Sequence, residues 1–321
     1  MTREGNMVED VKGINIFKIN LFSFDFEDEN KHNGEHYKKY CIDNNILGWG
    51  WPRKNNTEVK TLKEYHKDYG KSRSLSIACN QIAPMKEGDY VWSYVSGQWY
   101  LGKIFGDFLF YAPDDYPEFG MQRRCEWKPI ENKDLIPGIV LTYSRKDGTI
   151  RFIENNASFV KYCQYLYRDL AEKPQNLNFW ALAHYEDLED IVGLYLQKEE
   201  GYLIFPSTNK MGTKDYEYML VQKSEPYKKA IIQCKNNSCI SEDNWKKFEE
   251  GEYDDKIVYI LTIKEDPHTK EKYTKCPETE IFEWSYKGRI LVFNSEKLKK
   301  WAKDNKLILP ERIKKYLEMS E

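Results

Sequence analysis

Hydrophobic and polar positions change their period along this 321-residue chain. Up to about residue 155 they alternate in short runs. "INIFKINLFSF", "ILGWGW" and the glycine-punctuated "GDYVWSYVSGQWYLGKIFGDFLFY" each put apolar side chains on one face with the two-residue period of a strand. The pattern predicts a compact, mostly β module. A helix interrupts it over "TLKEYHKDYGKSRSLSIACNQIAPM", with an end signalled by Pro84. At "ASFVKYCQYLYRDL", residues 157–170, the spacing lengthens to that of a helix, and "AEKPQNLN" stops it. A domain boundary is expected there, dividing 1–171 from 172–321.

Beyond the boundary, Leu188, Ile191, Val192, Tyr195 and Leu196 recur at three and four, so one face of a helix is apolar, and Gly201 is placed to end it. The runs "YEYMLV", "KKAIIQCK", "KIVYILTI" and "RILVFN" read as strands that alternate with or flank helices such as "SEKLKKWAKDNK". This predicts an α/β domain with helices packed on a central mixed sheet. The whole chain is therefore expected to join an α+β module to an α/β one.

Within the second region, "KSEPY" carries turn residues between two strands, so "DYEYMLV" and "KKAIIQCK" are expected to fold back antiparallel. That register sets Glu217 near Gln233. Asp215 and Glu217 share one strand face, as do Gln233 and Lys235, because side chains alternate with period two. Acid, amide and ammonium can then converge at one end of the sheet. Phosphodiester hydrolysis needs such a set: a cation to neutralise developing charge, and a further positive group near the nucleophile or the transition state. Oxygen ligands from Asp215, Glu217 and Gln233 suit Mg²⁺, with Mn²⁺ as a substitute. Solvent-facing residues at strand ends account for the same spacing without any chemistry.

The ordered run from "YEDLEDIVGLYLQKEEGY" through "DYEYMLV" to "KKAIIQCK" resembles the Mrr-like branch of the PD-(D/E)xK nuclease superfamily over about residues 182–300. Glu189 after Leu188 matches the helix glutamate, Gly201-Tyr202 the helix end, and Gln233 and Lys235 the Q-x-K pair. The acid stays open between Asp215 and Glu217, with Glu217 better placed for the hairpin register. The resemblance implies a restriction-endonuclease-like fold and catalysis by Glu189, Asp215 or Glu217, Gln233 and Lys235.

In the first region, "GDYVWSYVSGQWYLGKIFG" followed by "RRCEWK", with "GWGW" upstream, resembles the PUA-like superfamily over roughly residues 15–155, in particular its EVE and YTH-like readers of modified bases. The resemblance implies a small β-barrel that takes a flipped base between aromatic faces. Trp49, Trp51, Trp92 and Trp99 are the candidate walls, and Ser93 and Tyr94 candidate contacts to the base edge. Any one tryptophan is equally suited to the barrel core. Arg123 and Arg124, beside Lys128, form a basic cluster that could grip a phosphate or simply be solvated.

Composition limits these readings. The chain is 40% hydrophobic and 15% aromatic, in keeping with packed cores, while a formal net charge of -3 mildly opposes a nucleic-acid partner and leaves local patches to do that work. Residues 286–321 hold ten Lys or Arg against five Asp or Glu, which a solvated helical face explains as well as a phosphate contact does. Seven cysteines without a C-x-x-C pair read as reduced thiols. No apolar run approaches bilayer length and the first residues are polar, so a soluble cytoplasmic protein is expected. His32, His36, His66, His184 and His268 have no metal-ligand spacing. Together these features predict a modification-dependent DNA endonuclease using Mg²⁺, as a homodimer or a DNA-induced dimer. An RNA nuclease and a non-catalytic modified-base binder are the alternatives.

Overall fold

The computed structural model describes residues 13–21, 35–49, 59–69, 79–80, 82–110, 120–142, 150–154, 156–205, 216–236, 238–251 and 253–320. The chain divides into two compact units, one running to Ala181 and one spanning Leu182–Ser320. That division falls later than the boundary expected after residue 171. Helices and mixed sheets occur in both units. Among the described residues no helix is long and apolar enough to cross a membrane.

In the first unit the strands are β1 (Ile16–Ile19), β2 (Ile46–Trp49), β3 (Tyr90–Val95), β4 (Gln98–Leu109), β5 (Met121–Ile130) and β6 (Ile150–Glu154). They form a six-stranded sheet in the order β2-β5-β4-β3-β1-β6, with β1 and β3 parallel and the other pairs antiparallel. The barrel implied by the resemblance is thus, among the described residues, a sheet whose outer strands β2 and β6 are not paired with each other. Ser96 and Gly97 both take positive φ, 49° and 86°, which lets a two-residue turn follow the twist of β3 and β4. Helices α1 (Glu35–Asp43), α2 (Leu62–Tyr69), α3 (Gly138–Thr142) and α4 (Ala157–Arg168) belong to the unit. Phe17, Leu47, Tyr65, Val91, Ile104 and Cys125 lie in its main core.

In the second unit, β7 (Tyr202–Phe205), β8 (Tyr218–Gln222), β9 (Lys229–Lys235), β10 (Ile257–Thr262), β11 (Thr274–Lys275), β12 (Phe282–Tyr286) and β13 (Ile290–Phe293) form a seven-stranded sheet in the order β11-β12-β13-β10-β9-β8-β7. The centre is parallel, β10 running with both β9 and β13, and the flanks are antiparallel. This is a central mixed sheet. A run such as Ala230–Cys234 is buried throughout, as a strand covered on both faces must be. Helices α5 (Tyr185–Lys198), α6 (Glu242–Glu250), α7 (Pro267–Lys272), α8 (Ser295–Asp304) and α9 (Glu311–Met319) accompany it. Trp245 and Phe248 of α6 pack with Ile231, Val258, Ile260 and Ile290. Burying side chains of this size stabilises by about 1.5–3 kcal/mol each.

The start of α5 is fixed with particular care. His184 caps it, and in return the His184 N–H donates to the Asp187 carboxylate at 2.7 Å, the reciprocal capping box of a helix N-terminus. Asp187 has no exposed surface, and its other oxygen accepts from Arg312 Nε of α9 at 2.8 Å. Leaving such a carboxylate unpaired is strongly destabilising, so the ion pair sets where the helix begins. Glu189 follows two residues later.

Candidate active site at the end of the central strand

Strand β9 delivers two of the expected residues and β8 a third. Met219 lies opposite Ile231 and Tyr218 opposite Ile232, and the Glu217 N–H donates to the Ile232 carbonyl at 2.8 Å. Continued by one residue, this register sets Glu217 against Gln233. The Gln233 amide Nε2 donates to Glu217 Oε1 at 2.8 Å. Gln233 is 2% exposed, so its amide needs that acceptor. Because Nε2 faces the acid, the carbonyl Oε1 points away from it. Joint ligation of one cation by Glu217 and the Gln233 carbonyl therefore requires the amide to turn over.

Glu189 reaches the same place from α5. It is 3% exposed and shares a side-chain hydrogen bond with Glu217. Burial, then the neighbouring Glu217 charge, pushes its carboxyl up to about 8. Glu217 is also raised, by burial, but the Lys235 charge and the bond from Gln233 oppose that rise. The pair is thus best described as one proton held on Glu189 and donated to an ionised Glu217 whose charge Lys235 balances. Cys234, wholly buried between Gln233 and Lys235, has its thiol raised well above its ordinary value and is a packing residue.

The proton on Glu189 has a measurable consequence. Below about 4.5, its ordinary value, both folded and unfolded chains carry the proton and the contribution to stability is complete. As pH rises, the unfolded chain loses that proton first, so the contribution drains away until about pH 8 and then levels off. Urea denaturation of the protein and of Glu189→Gln across this range is expected to differ in slope, by on the order of a few kcal/mol in total. Parallel curves would remove the buried proton from the description.

Asn236, next after Lys235, was not expected from the motif. Its Nδ2 donates to the Ala183 carbonyl at 2.7 Å, tying the end of β9 to the start of α5 and so the Lys235 side of the site to the Glu189 side. The only sequence signal was a turn-favouring residue at a strand end. Among the described residues no group of three or more His, Cys, Asp or Glu side chains is placed to hold a metal ion. The oxygens of Glu189 and Glu217, with the Gln233 amide, are the set a cation could use. Asp215, the other candidate acid, lies outside the described residues.

The residues expected to read a base separate. Trp51 and the side chain of Trp49 lie outside the described residues. Trp92 has no exposed surface and sits beside Cys163 of α4, so it is a core residue with no face for a base. Ser93 is buried while Tyr94 is 46% exposed, because neighbours on a strand face opposite ways; the two cannot share one base edge. Trp99 is buried and so offers no open face as a wall; it lies opposite Tyr94 across the β3–β4 hairpin with the rings 5.1 Å apart, and Lys18 Nζ is 5.1 Å from its ring.

The basic cluster is also reassigned. Arg123 is buried and donates to the Gly106 and Met85 carbonyls, bracing the irregular part of β4, so it is not a phosphate contact. Lys128 donates to the Leu166 and Tyr167 carbonyls at the end of α4 and pairs with Asp169. Arg124 is exposed, pairs with Glu126 and lies over the Phe105 ring. His184 is a helix cap and His268 is bound to Glu249 at 2.6 Å.

Comparison with protein-family models, with curated proteins and with solved structures finds no match for this chain.

Proposed function

We propose that the protein is a Mg²⁺-dependent endonuclease that cuts DNA carrying a modified base, the second unit cleaving and the first reading the base. The observation that supports this most is the bond from Gln233 to Glu217, with Glu189 hydrogen-bonded to the same acid and Lys235 close enough to offset its charge. These are the residue types of a restriction-endonuclease-like site of the Q-x-K kind. The two carboxylates of Glu189 and Glu217 are hard donors, few in number, and fit Mg²⁺, which keeps several waters; the Gln233 oxygen joins them only when its amide turns over. When bound, Mg²⁺ supplies positive charge beside the phosphate and lowers the barrier to attack by water.

The chain's own groups do the rest. Glu189 gives up its proton when a cation is taken, so cation affinity rises with pH towards about 8. Lys235 holds an attacking water or a phosphate oxygen and offsets charge that grows in the transition state. Gln233 holds Glu217 in place. In the first unit, the half-exposed Tyr94 ring against Trp99 is the surface on which a flipped base would stack. Cutting both strands takes two such sites, hence a homodimer or a pair assembled on DNA. Restriction of foreign DNA in the cytoplasm is the role that follows.

Duplexes carrying methylated or hydroxymethylated cytosine, or methylated adenine, tested beside unmodified DNA and structured RNA, separate the readings. Cleavage of at least one modified duplex in preference to the unmodified one is expected. Cleavage confined to RNA would replace DNA as the substrate, and specific binding without any cleavage would make the protein a reader alone.

A further inference from the structure

Glu189 has a second neighbourhood. Besides its bond to Glu217, Glu189 forms part of the wall of an open cavity of about 590 Å³. The acid and amide groups that line it, Glu189, Asp190 and Gln197, all come from α5. Asp190 and Gln197 are seven residues apart, so both lie on one helix face two turns from each other. Gly193 lies between them. A Cβ there would stand 2.9 Å from Ile204 Cδ1 of β7, so the bare glycine lets helix and strand close up at the cavity floor. The half-buried Tyr218 of β8 and the apolar Leu309 complete the walls.

The lining has carboxylates and an amide but no Lys, Arg or His. A phosphate group would be repelled. A flat ring whose edge offers N–H donors fits instead: the ring against aromatic and apolar walls, the donors towards acid oxygens. The cavity shares Glu189 with the proposed cleavage site, so on the nuclease reading a ligand seated in it is a neighbour of that site. Among the bases, guanine presents two adjacent donors, N1–H and N2–H, to a single carboxylate.

We propose that this cavity takes an unstacked guanine flanking the scissile phosphate, with Asp190 accepting from N1–H and N2–H, Gln197 bonding beside it and Tyr218 against the ring. The assignment rests on the nuclease reading and adds to it a sequence preference at the cut, set by the cleavage unit itself. Unstacking the base costs a few kcal/mol, which base contacts in the cavity offset.

Two measurements on the full-length protein test this separately from the nuclease reading. In the first, guanosine, cytidine and thymidine binding to metal-free protein is followed by saturation-transfer NMR. Guanosine is expected to bind best, and Asp190→Asn to weaken it by about tenfold or more, the usual effect of removing a charged acceptor. Gln197→Ala, at an exposed helix position, is expected to weaken it less while leaving the fold intact. In the second, the ends of cleaved DNA are sequenced. Wild type is expected to leave guanine enriched beside the cut, and Asp190→Asn to flatten that enrichment more than it lowers the cleavage rate. Equal binding of all three nucleosides, or an unchanged base distribution in Asp190→Asn, overturns the proposal while the nuclease reading stands. Guanosine binding without DNA cleavage overturns the nuclease reading and leaves the cavity's ligand class standing.

Discussion

Replacing Lys235 by alanine is expected to slow DNA cleavage by about 100- to 1,000-fold, the usual cost of removing one group that stabilises transition-state charge. The side chain is half-buried at the end of β9 and its charge acts on Glu217, whose carboxyl would otherwise be raised further by burial. Without the ammonium, Glu217 binds a proton more readily, and a phosphate entering the site meets two acids with no fixed cation beside them. Both effects act on the chemical step. DNA binding, which draws on many contacts, is expected to change only a few-fold. Lys235→Arg keeps the charge but spreads it over a wide planar group, so it is expected to recover part of the rate and fall short of wild type. Single-turnover cleavage at saturating DNA separates the two effects; a Lys235→Ala protein that cuts at the wild-type rate would exclude this residue from the chemistry.

Glu217→Ala is expected to be at least as damaging, and for a different reason. The acid is the hub of the site: it accepts from Gln233, shares a hydrogen bond with Glu189 and carries the charge that Lys235 balances. Its removal leaves the Gln233 amide buried with only the longer bond to the Cys234 carbonyl at 3.4 Å, a loss of about 1–3 kcal/mol in stability. It also relieves Glu189 of the like charge that helps to raise it, so Glu189 ionises at lower pH. A cation then finds one carboxylate where there were two. Mg²⁺ affinity is expected to fall by more than about tenfold and cleavage by about 1,000-fold, with higher Mg²⁺ recovering little. Glu217→Gln keeps an acceptor for Gln233 and so keeps stability, while losing cleavage to a similar degree. Calorimetric Mg²⁺ titration of the three proteins reads the first effect and single-turnover kinetics the second. Unchanged affinity in Glu217→Ala would transfer the ligand role to Asp215.

The reason some of this was legible in the sequence is local. A turn in "KSEPY" and a period of two are enough to set Glu217 against Gln233, because a hairpin leaves little freedom of register. The approach of Glu189 was not legible in that way. Spacing alone puts it on a helix with an apolar face, and only the order of motifs tied it to the strand; the contact itself depends on the capping box at His184 and the Asp187–Arg312 pair, which joins residues 125 positions apart. In the first unit the same physical reason hides more. Sequence shows that Trp92 and Arg123 are large and functional in type, but not that Trp92 lies beside Cys163 of α4 or that the Arg123 guanidinium is buried against two backbone carbonyls. The cavity beside Glu189 was invisible because its wall is completed by Leu309, far along the chain from Glu189 and Tyr218.

On the proposed function, Glu189, Glu217, Gln233 and Lys235 form one metal-dependent phosphodiesterase site. It is tested most directly by single-turnover cleavage of an end-labelled duplex containing a modified base, run with Mg²⁺ and with EDTA, for the protein and for Lys235→Ala side by side. Cleavage by the unsubstituted protein is expected with Mg²⁺, none with EDTA, and at most about one hundredth of the rate for the variant. Cleavage that persists in EDTA, or that proceeds equally in Lys235→Ala, would contradict it.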